Sequence, residues 1–235
     1  MDNNYQRFII FAPSRAGSWM LNSLLSSHDD ILCLGEVFHE HEIAYGPLKP
    51  KKDQKFLYLR NSDRVSFLKN IVFKKYPSNI KGVGFKYLYY QMRFKEHSEL
   101  NKYLKNDIIL KIIHLKRKND LNRIVSFKLA EASGQWRSIN KSNIERVSKI
   151  HLTLSYKECL DFFRQTKVEE EKIDKYFSSH QKLTLTYEDL VKDMEYETRN
   201  ILSFLGLKLQ KLTTEYLKQN KRPQSVVLEN YWELK

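Results

Sequence analysis

The sequence predicts an α/β fold: a central, mostly parallel sheet flanked by helices on both faces. Two observations predict it. Short apolar runs of strand length alternate along the chain with longer segments whose apolar residues recur at helical spacing. Repeated alternation of this kind builds a parallel sheet, because each return to the same edge needs a crossover, usually a helix. The 235 residues contain no Pro-, Gly- or Ser-rich linker, so residues 1–235 are expected to form a single domain around one sizeable core.

The first strand is predicted over Arg7 to Ala12 (RFIIFA), short enough to be buried and ended by Pro13. Pro13 to Gly17 is a loop of small residues. From Ser18 the apolar residues Trp19, Leu21, Leu24 and Leu25 mark a helix. A helix opening directly from such a loop turns unpaired N–H groups and the positive end of its dipole toward the turn, where an anion fits. Gly17 allows close backbone approach, Ser14 and Ser18 offer hydroxyls, and Arg15 brings a fixed charge with a fork of donors suited to phosphate or sulfate. The loop is P-loop-like in position, yet the first Gly and the Lys of GxxxxGK[ST] are missing. An ordinary strand-turn-helix with a Ser cap is the alternative.

Ile31 to Leu34 is the second strand, and Glu36 follows at its C-terminal end. In open α/β sheets ligands bind outside the C-terminal ends of the strands, which puts Glu36 on the same rim as the loop unless it is a surface or capping carboxylate. Val37 to Arg60 has a weak pattern with a Gly46-Pro47 turn signal and is expected to be a substrate-side loop. His39 and His41 stand two apart without further ligands, so no metal is expected. Asn61 to Lys75 reads as a packing helix capped by Asn61 or Ser62. Val83 to Tyr90 begins as a strand and ends in Tyr87, Tyr89 and Tyr90, aromatics that line either a core or a sugar site. Lys86, inside that strand, either snorkels to solvent or points at an anion.

Asp107 to Leu115 (DIILKIIHL) is the strongest strand pattern, and Leu121, Ile124, Val125, Leu129 and Ala132 mark a helix ending near Ser133-Gly134. This second strand-turn-helix unit places Arg117 and Lys118 at a strand end and Ser126 two turns into the helix, so that a cation and a hydroxyl can converge on a second phosphate. A basic turn beside a solvent-facing Ser is the alternative. A short strand is expected over Ile150 to Leu154 and a long helix over Ser155 to His180, with the KVEEEK run as a solvated face. Leu183 to Thr186 is the last strand, and the helix after it stops at Gly206. A short helix containing Tyr231 and Trp232 closes the chain.

The formal net charge of +13 implies an anionic partner. The Lys and Arg residues are spread along the chain and no nucleic-acid-binding motif appears, so no nucleic acid is expected. No apolar stretch approaches the roughly 18 residues that span a bilayer, and MDNNYQ runs straight into the first strand, which predicts neither a membrane span nor a signal peptide. The two cysteines, Cys33 and Cys159, lack metal-type spacing, and a cytoplasmic location is the default.

Taken in order, FAPSRAGSWML, LGEVF, VGFK, HLKRKNDLNRIVSFKLA, LTYEDLVKDMEYETRNILSFLGL and KQNKRPQSVVLENYWEL resemble segments of the bacterial carbohydrate sulfotransferases, which are related to the Golgi glycan enzymes. The resemblance implies 3′-phosphoadenosine 5′-phosphosulfate (PAPS) as co-substrate, no metal, and a carbohydrate or glycolipid acceptor. It implies that Arg15, Gly17 and Ser18 hold the 5′-phosphosulfate, with Ser14, Ala16 and Trp19 completing the loop. Arg117 and Ser126 would hold the 3′-phosphate, with Lys118 as an alternative to Arg117, and Arg222 would close over the nucleotide. Glu36 would be the general base, assisted by Arg15 on the leaving-group side. A P-loop-type kinase and a basic nucleic-acid-binding module are the rival readings. Identity of the acceptor and oligomeric state are not legible in the sequence.

Overall fold

The computed structural model describes residues 4–45, 48–51, 54–136, 141–216, 220 and 222–234. Five strands form one parallel sheet: β1 (Gln6–Ala12), β2 (Ile31–Leu34), β5 (Gly82–Leu88), β6 (Lys111–Lys116) and β7 (Lys182–Thr186), in the order β2-β5-β1-β6-β7. The hairpin β3 (Ile43–Tyr45) and β4 (Leu48–Lys51) stands apart from it as a two-stranded antiparallel sheet. Helices α1 (Ser18–Ser26), α2 (Gln54–Ser62), α3 (Arg64–Phe67), α4 (Tyr89–Met92) and α5 (Ser98–Asn106) belong to the first half of the chain. α6 (Asp120–Ser133), α7 (Lys141–Ser148), α8 (Tyr156–Tyr176), α9 (Tyr187–Lys192), α10 (Met194–Leu205) and α11 (Gln224–Val227) belong to the second.

Both faces of the sheet are buried. Side chains alternate across a strand, and in β1 Phe8, Ile10 and Ala12 pack with Leu21, Leu24 and Ile201 while Ile9 and Phe11 pack with Leu68, Leu100 and Phe177. This two-sided burial is why the strand reads as a continuous apolar run rather than an alternating one. Gly84 has a steric role here: a Cβ at that position would stand 2.4 Å from the Phe8 ring, so only Gly lets β5 and β1 pair with Phe8 between them.

Several boundaries differ from the sequence expectation for identifiable reasons. The strand predicted from Asp107 begins at Lys111, since β1 pairs with β6 only from Phe8–Lys111 onward, and Ile108 and Ile109 are left exposed in a turn. Ile150 to Leu154 is not a sheet strand; Leu152 makes one isolated parallel bridge to Leu228 in the tail. The expected loop over Val37 to Arg60 contains β3, β4 and α2, and the Gly46-Pro47 signal lies outside the described residues. The next helix is capped by Asp63, whose Oδ1 accepts from the Ser66 N–H at 2.8 Å, and it passes into a π-helical turn over Leu68–Val72. The KVEEEK run is only partly solvated: Glu170 is buried with Lys116 Nζ at 3.8 Å, and Glu169 pairs with Arg93 at 3.1 Å.

Candidate active site

The loop between β1 and α1 is shaped by backbone conformation. Arg15 has φ 68° and Gly17 has φ 84°, so two left-handed residues flank Ala16 and leave its peptide tightly folded. A non-Gly residue in that region costs of order 1 kcal/mol or more and persists only when its surroundings impose it. Here two arginines supply the constraint. Arg117 Nη1 donates to the Arg15 carbonyl at 2.7 Å, and Arg123 Nη1 donates to the Ser14 carbonyl at 3.3 Å. With these carbonyls drawn to the arginines, the loop is held by charge-assisted bonds at consecutive residues. Gly17 is closed in by Tyr187, the first residue after β7; a Cβ on Gly17 would lie 2.4 Å from Tyr187 Cδ2.

A cavity of about 300 Å³ opens over this loop. Of the residues expected to bind a nucleotide, Arg15, Gly17, Ser18, Trp19, Arg117, Ser126 and Arg222 line it; Ser14 and Ala16 do not, Ala16 being fully buried beneath the turn. Lys118 is turned away. Its Nζ is engaged with both Asp189 carboxylate oxygens at 2.8 and 2.9 Å in an exposed pair, so Arg117 is the basic residue of that turn that faces the cavity. The two strand-turn-helix units meet here: Arg15 Nε donates to Ser126 Oγ at 3.0 Å, and Arg15 Nη1 donates to the Trp136 carbonyl at 2.6 Å.

The electrostatics suit an anion. Burial first, and then the neighbouring Arg117 charge, lower the Arg15 pKa to about 10, with Tyr187 opposing the shift. Burial lowers Arg117 as well. Two guanidinium groups crowded against each other in a partly desolvated pocket are at odds with one another, and an anion between them relieves the repulsion.

Glu36 lies at the end of β2 and does not line the cavity. It is buried, with Oε1 2.8 Å from Lys86 Nζ, and Lys86 is itself only 1% exposed. The Lys86 ammonium sits 3.7 Å from the centre of the Trp19 ring, which forms part of the cavity wall and stacks against Tyr216 at 6.2 Å. The link from carboxylate to cavity therefore runs through Lys86 and Trp19. Lys86 does not reach solvent; its ammonium pairs with the Glu36 carboxylate. Tyr87 and Tyr89 are core residues, whereas Tyr90 approaches Glu36, its hydroxyl 3.5 Å from Oε2. Burial, then the Glu36 charge, raise the Tyr90 pKa well beyond the usual phenol range.

Sequence inspection missed several residues of this region. Tyr187 stands at the C-terminal end of a strand, and the rule that drew attention to Glu36 applies to it equally. Asn122 and Gln224 lie in segments that the sequence singles out for other residues, and Trp136 and Tyr216 lie in segments with no local signature. Among the described residues no group of three or more His, Cys, Asp or Glu is placed to hold a metal ion, and His39 and His41 have ring centres 6.0 Å apart.

Residues 6–232 match the model of the sulfotransferase domain. The chain belongs to the sulfotransferase family. Sulfuryl transfer from PAPS is the activity of that family and is the activity assigned to the chain. It is 28% identical over 233 residues to nodulation protein H of Rhizobium tropici, covering 97% of this chain and 87% of the relative. To nodulation protein H of Rhizobium meliloti (strain 1021) it is 25% identical, over 98% and 90% of the two chains. The sulfotransferase of Alicyclobacillus acidocaldarius shares the fold, with a TM-score of 0.55 at 15% identity over 96% of this chain and 88% of the other. No helix among the described residues is long and apolar enough to cross a membrane.

Proposed function

We propose that the sulfotransferase moves a sulfuryl group from PAPS, bound across the cavity of Arg15 and Arg117, to a hydroxyl of a carbohydrate or glycolipid acceptor, with Glu36 as the general base. The observation that carries the donor assignment is the convergence of Arg15, Arg117 and Ser126, from two separate strand-turn-helix units, on one cavity wall. The residues fit a nucleotide with two separate anionic groups: the cavity closes over Gly17, where a Cβ would collide with Tyr187, and its cations come from three parts of the chain, Arg15, Arg117 and Arg222. PAPS supplies an activated sulfuryl group whose departure leaves a phosphate.

On this reading Arg15 and the N-terminus of α1 take the 5′ end of the nucleotide, with Ser18 as hydroxyl donor. They stabilise charge as it develops on the leaving side. Arg117 and Ser126 take the 3′-phosphate. Arg222, which now donates to the Val147 and Ile150 carbonyls at 3.1 and 2.8 Å, ties the tail to the cavity edge. Trp19 and Tyr216 offer ring faces suited to a base or sugar. Glu36 receives the proton of the attacking hydroxyl; its Oε1 lies 2.8 Å from Lys86 Nζ, and its Oε2 lies 3.5 Å from both the Tyr90 hydroxyl and Gln91 Nε2. Relatives named for nodulation support a carbohydrate-type acceptor.

Calorimetry with 3′-phosphoadenosine 5′-phosphate, AMP and ATP tests the donor half. Selective binding of the first, weakened at least about tenfold in both Arg15→Ala and Ser126→Ala, is expected, at the usual 1.5–3 kcal/mol for a hydrogen bond to a charged group. Equal or absent binding of all three nucleotides overturns it. For the base, Glu36→Gln is expected to retain donor binding and to lower turnover of PAPS with a panel of glycans by on the order of 10²-fold.

A further inference from the structure

Gln91 is completely buried, on the first turn of the short helix α4 that follows β5. Its two amide ends do different things. Oε1 accepts from the Leu88 N–H at 2.9 Å, closing the start of α4 in the manner of a capping-box residue reaching back to the N-cap. Nε2 lies 3.5 Å from Glu36 Oε2. The first bond decides the second. Flipping the amide would leave the buried Leu88 N–H facing an NH2 group and would set the amide oxygen against a carboxylate oxygen, costing two unsatisfied polar contacts at once. Gln91 can therefore only present donors to Glu36.

The opposite edge of the carboxylate is held by Lys86 from β5, itself placed beside the end of β2 because the Lys86 N–H donates to the Gly35 carbonyl at 3.1 Å. Among the described residues, ionisable groups facing Glu36 include Lys86 from β5 and Tyr90 from α4, while Glu40, from the segment after β2, acts on Tyr90. Lys86 and Gln91 thus meet Oε1 and Oε2 from different elements, at 2.8 and 3.5 Å, which restricts rotation of the carboxylate.

We propose that Gln91 is a positioning residue for Glu36: its amide, locked by the α4 cap, presents donors to Oε2 and so orients the carboxylate. The importance of this for turnover rests on Glu36 being the base; the coupling between the two side chains does not. The helix start and the orientation of the base are one structural unit, because a single side chain serves both.

The test reads Glu36 directly and needs no acceptor. In protein carrying 13C-labelled glutamate, the Glu36 carboxyl resonance, assigned by its disappearance in Glu36→Gln, is titrated by NMR together with the Gln91 side-chain amide protons. In the unsubstituted protein the amide protons are expected to shift with the same midpoint as the carboxyl and to lose that titration in Glu36→Gln. Gln91→Glu keeps an oxygen for the Leu88 N–H but sets a second carboxylate against Glu36; the Glu36 midpoint is expected to rise by about one pH unit or more. Gln91→Met removes donor and cap together and is expected to raise it by a smaller amount while lowering the melting temperature. An amide that does not follow the Glu36 titration, or an unmoved midpoint in a folded Gln91→Glu protein, overturns the proposal. If Gln91→Glu fails to fold, the measurement on the unsubstituted protein decides alone. Full turnover in Glu36→Gln would remove the base assignment and leave the amide-carboxylate coupling standing.

Discussion

At the end of β6, Lys116 and Arg117 are successive residues that turn to opposite sides of the sheet. Lys116 points toward α8, where Asp174 takes Lys116 at 2.8 Å, Lys182 at 2.6 Å and His114 Nδ1 at 3.0 Å. Burial works against the Asp174 charge, but the bonds from Lys116 and Lys182 and the neighbouring His114 outweigh it and hold that carboxyl well below the usual range. Arg117 points the other way, into the loop after β1, where it donates to the Arg15 carbonyl, carries its charge beside the Arg15 guanidinium, and has Glu188 Oε1 at 3.8 Å from its Nε. One cluster is closed by its own carboxylate, bonded to each of its partners, and is structural. The other sets two guanidinium groups on a cavity wall with Glu188 at 3.8 Å from Arg117, an arrangement that a further anion bound in the cavity stabilises. A chain with a net charge of +13 has basic groups everywhere, so proximity of positive charge alone does not mark a site; whether the cations are closed off by a bonded carboxylate or face a cavity does.

Substitutions can break this contrast from either side. The largest effect is expected for Gly17→Ala, which combines a φ of 84° with a Cβ 2.4 Å from the Tyr187 ring. Affinity for 3′-phosphoadenosine 5′-phosphate should fall at least about 10²-fold, with a stability loss of about 2 kcal/mol, as read by calorimetry and denaturant titration. Asp174→Asn should do the reverse: a loss of about 2 kcal/mol in stability, because three partners lose their anion, with nucleotide affinity within about twofold of the unsubstituted protein. Comparable losses of nucleotide affinity in both variants would erase the distinction between the clusters.

The acid side sharpens it further. Burial chiefly lowers the pKa of His114, and likewise of His97, to about 4 in the folded protein. Unfolded histidines titrate near 6.5. As pH falls from about 6.5 toward 4, the unfolded chain binds protons that these two residues do not bind when folded, so stability drops with falling pH and recovers as pH rises. The slope should approach about 1.4 kcal/mol per pH unit for each histidine. Urea midpoints at pH 7 and pH 5 measure this; half the slope would show that one of the two is charged in the fold, and a flat profile that both are. The smallest effect belongs to Lys118→Ala: the pair with Asp189 is exposed, so stability should change by under about 0.5 kcal/mol and nucleotide affinity hardly at all. A large loss of affinity would return the 3′-phosphate role to Lys118.

Much of the first cavity wall was legible in the chain because it is local. The loop after β1, the strand preceding it and the helix following it are contiguous, and Arg15, Gly17 and Ser18 all line the cavity. The helix over Asp120–Ser133 ends at Gly134 in a left-handed conformation, as its sequence signals. The region around Glu36 was legible only in part. Its position after β2 could be read, but Lys86 as its partner lies 50 residues on, in a strand that is adjacent only because the order β2-β5-β1 brings the two rims together. Ile108 and Ile109 show the opposite failure, an apolar run that promises a strand where no neighbour is available to pair with it.

The sequence by itself determined the alternation of strands and helices, the small-residue loop with its arginine, and the stops at Gly134 and Gly206, all of which depend on residues within a few positions of one another. Tertiary structure alone decided that Arg117 and not Lys118 faces the cavity, that Tyr187 closes over Gly17, and that Glu36 is gripped by Lys86 and Gln91. Hydrophobic period and turn chemistry act over one or two turns of chain and leave a clear local imprint. The direction of a long polar side chain is chosen by whichever donor or acceptor the sheet order sets beside it, and that neighbour has no fixed place in the sequence.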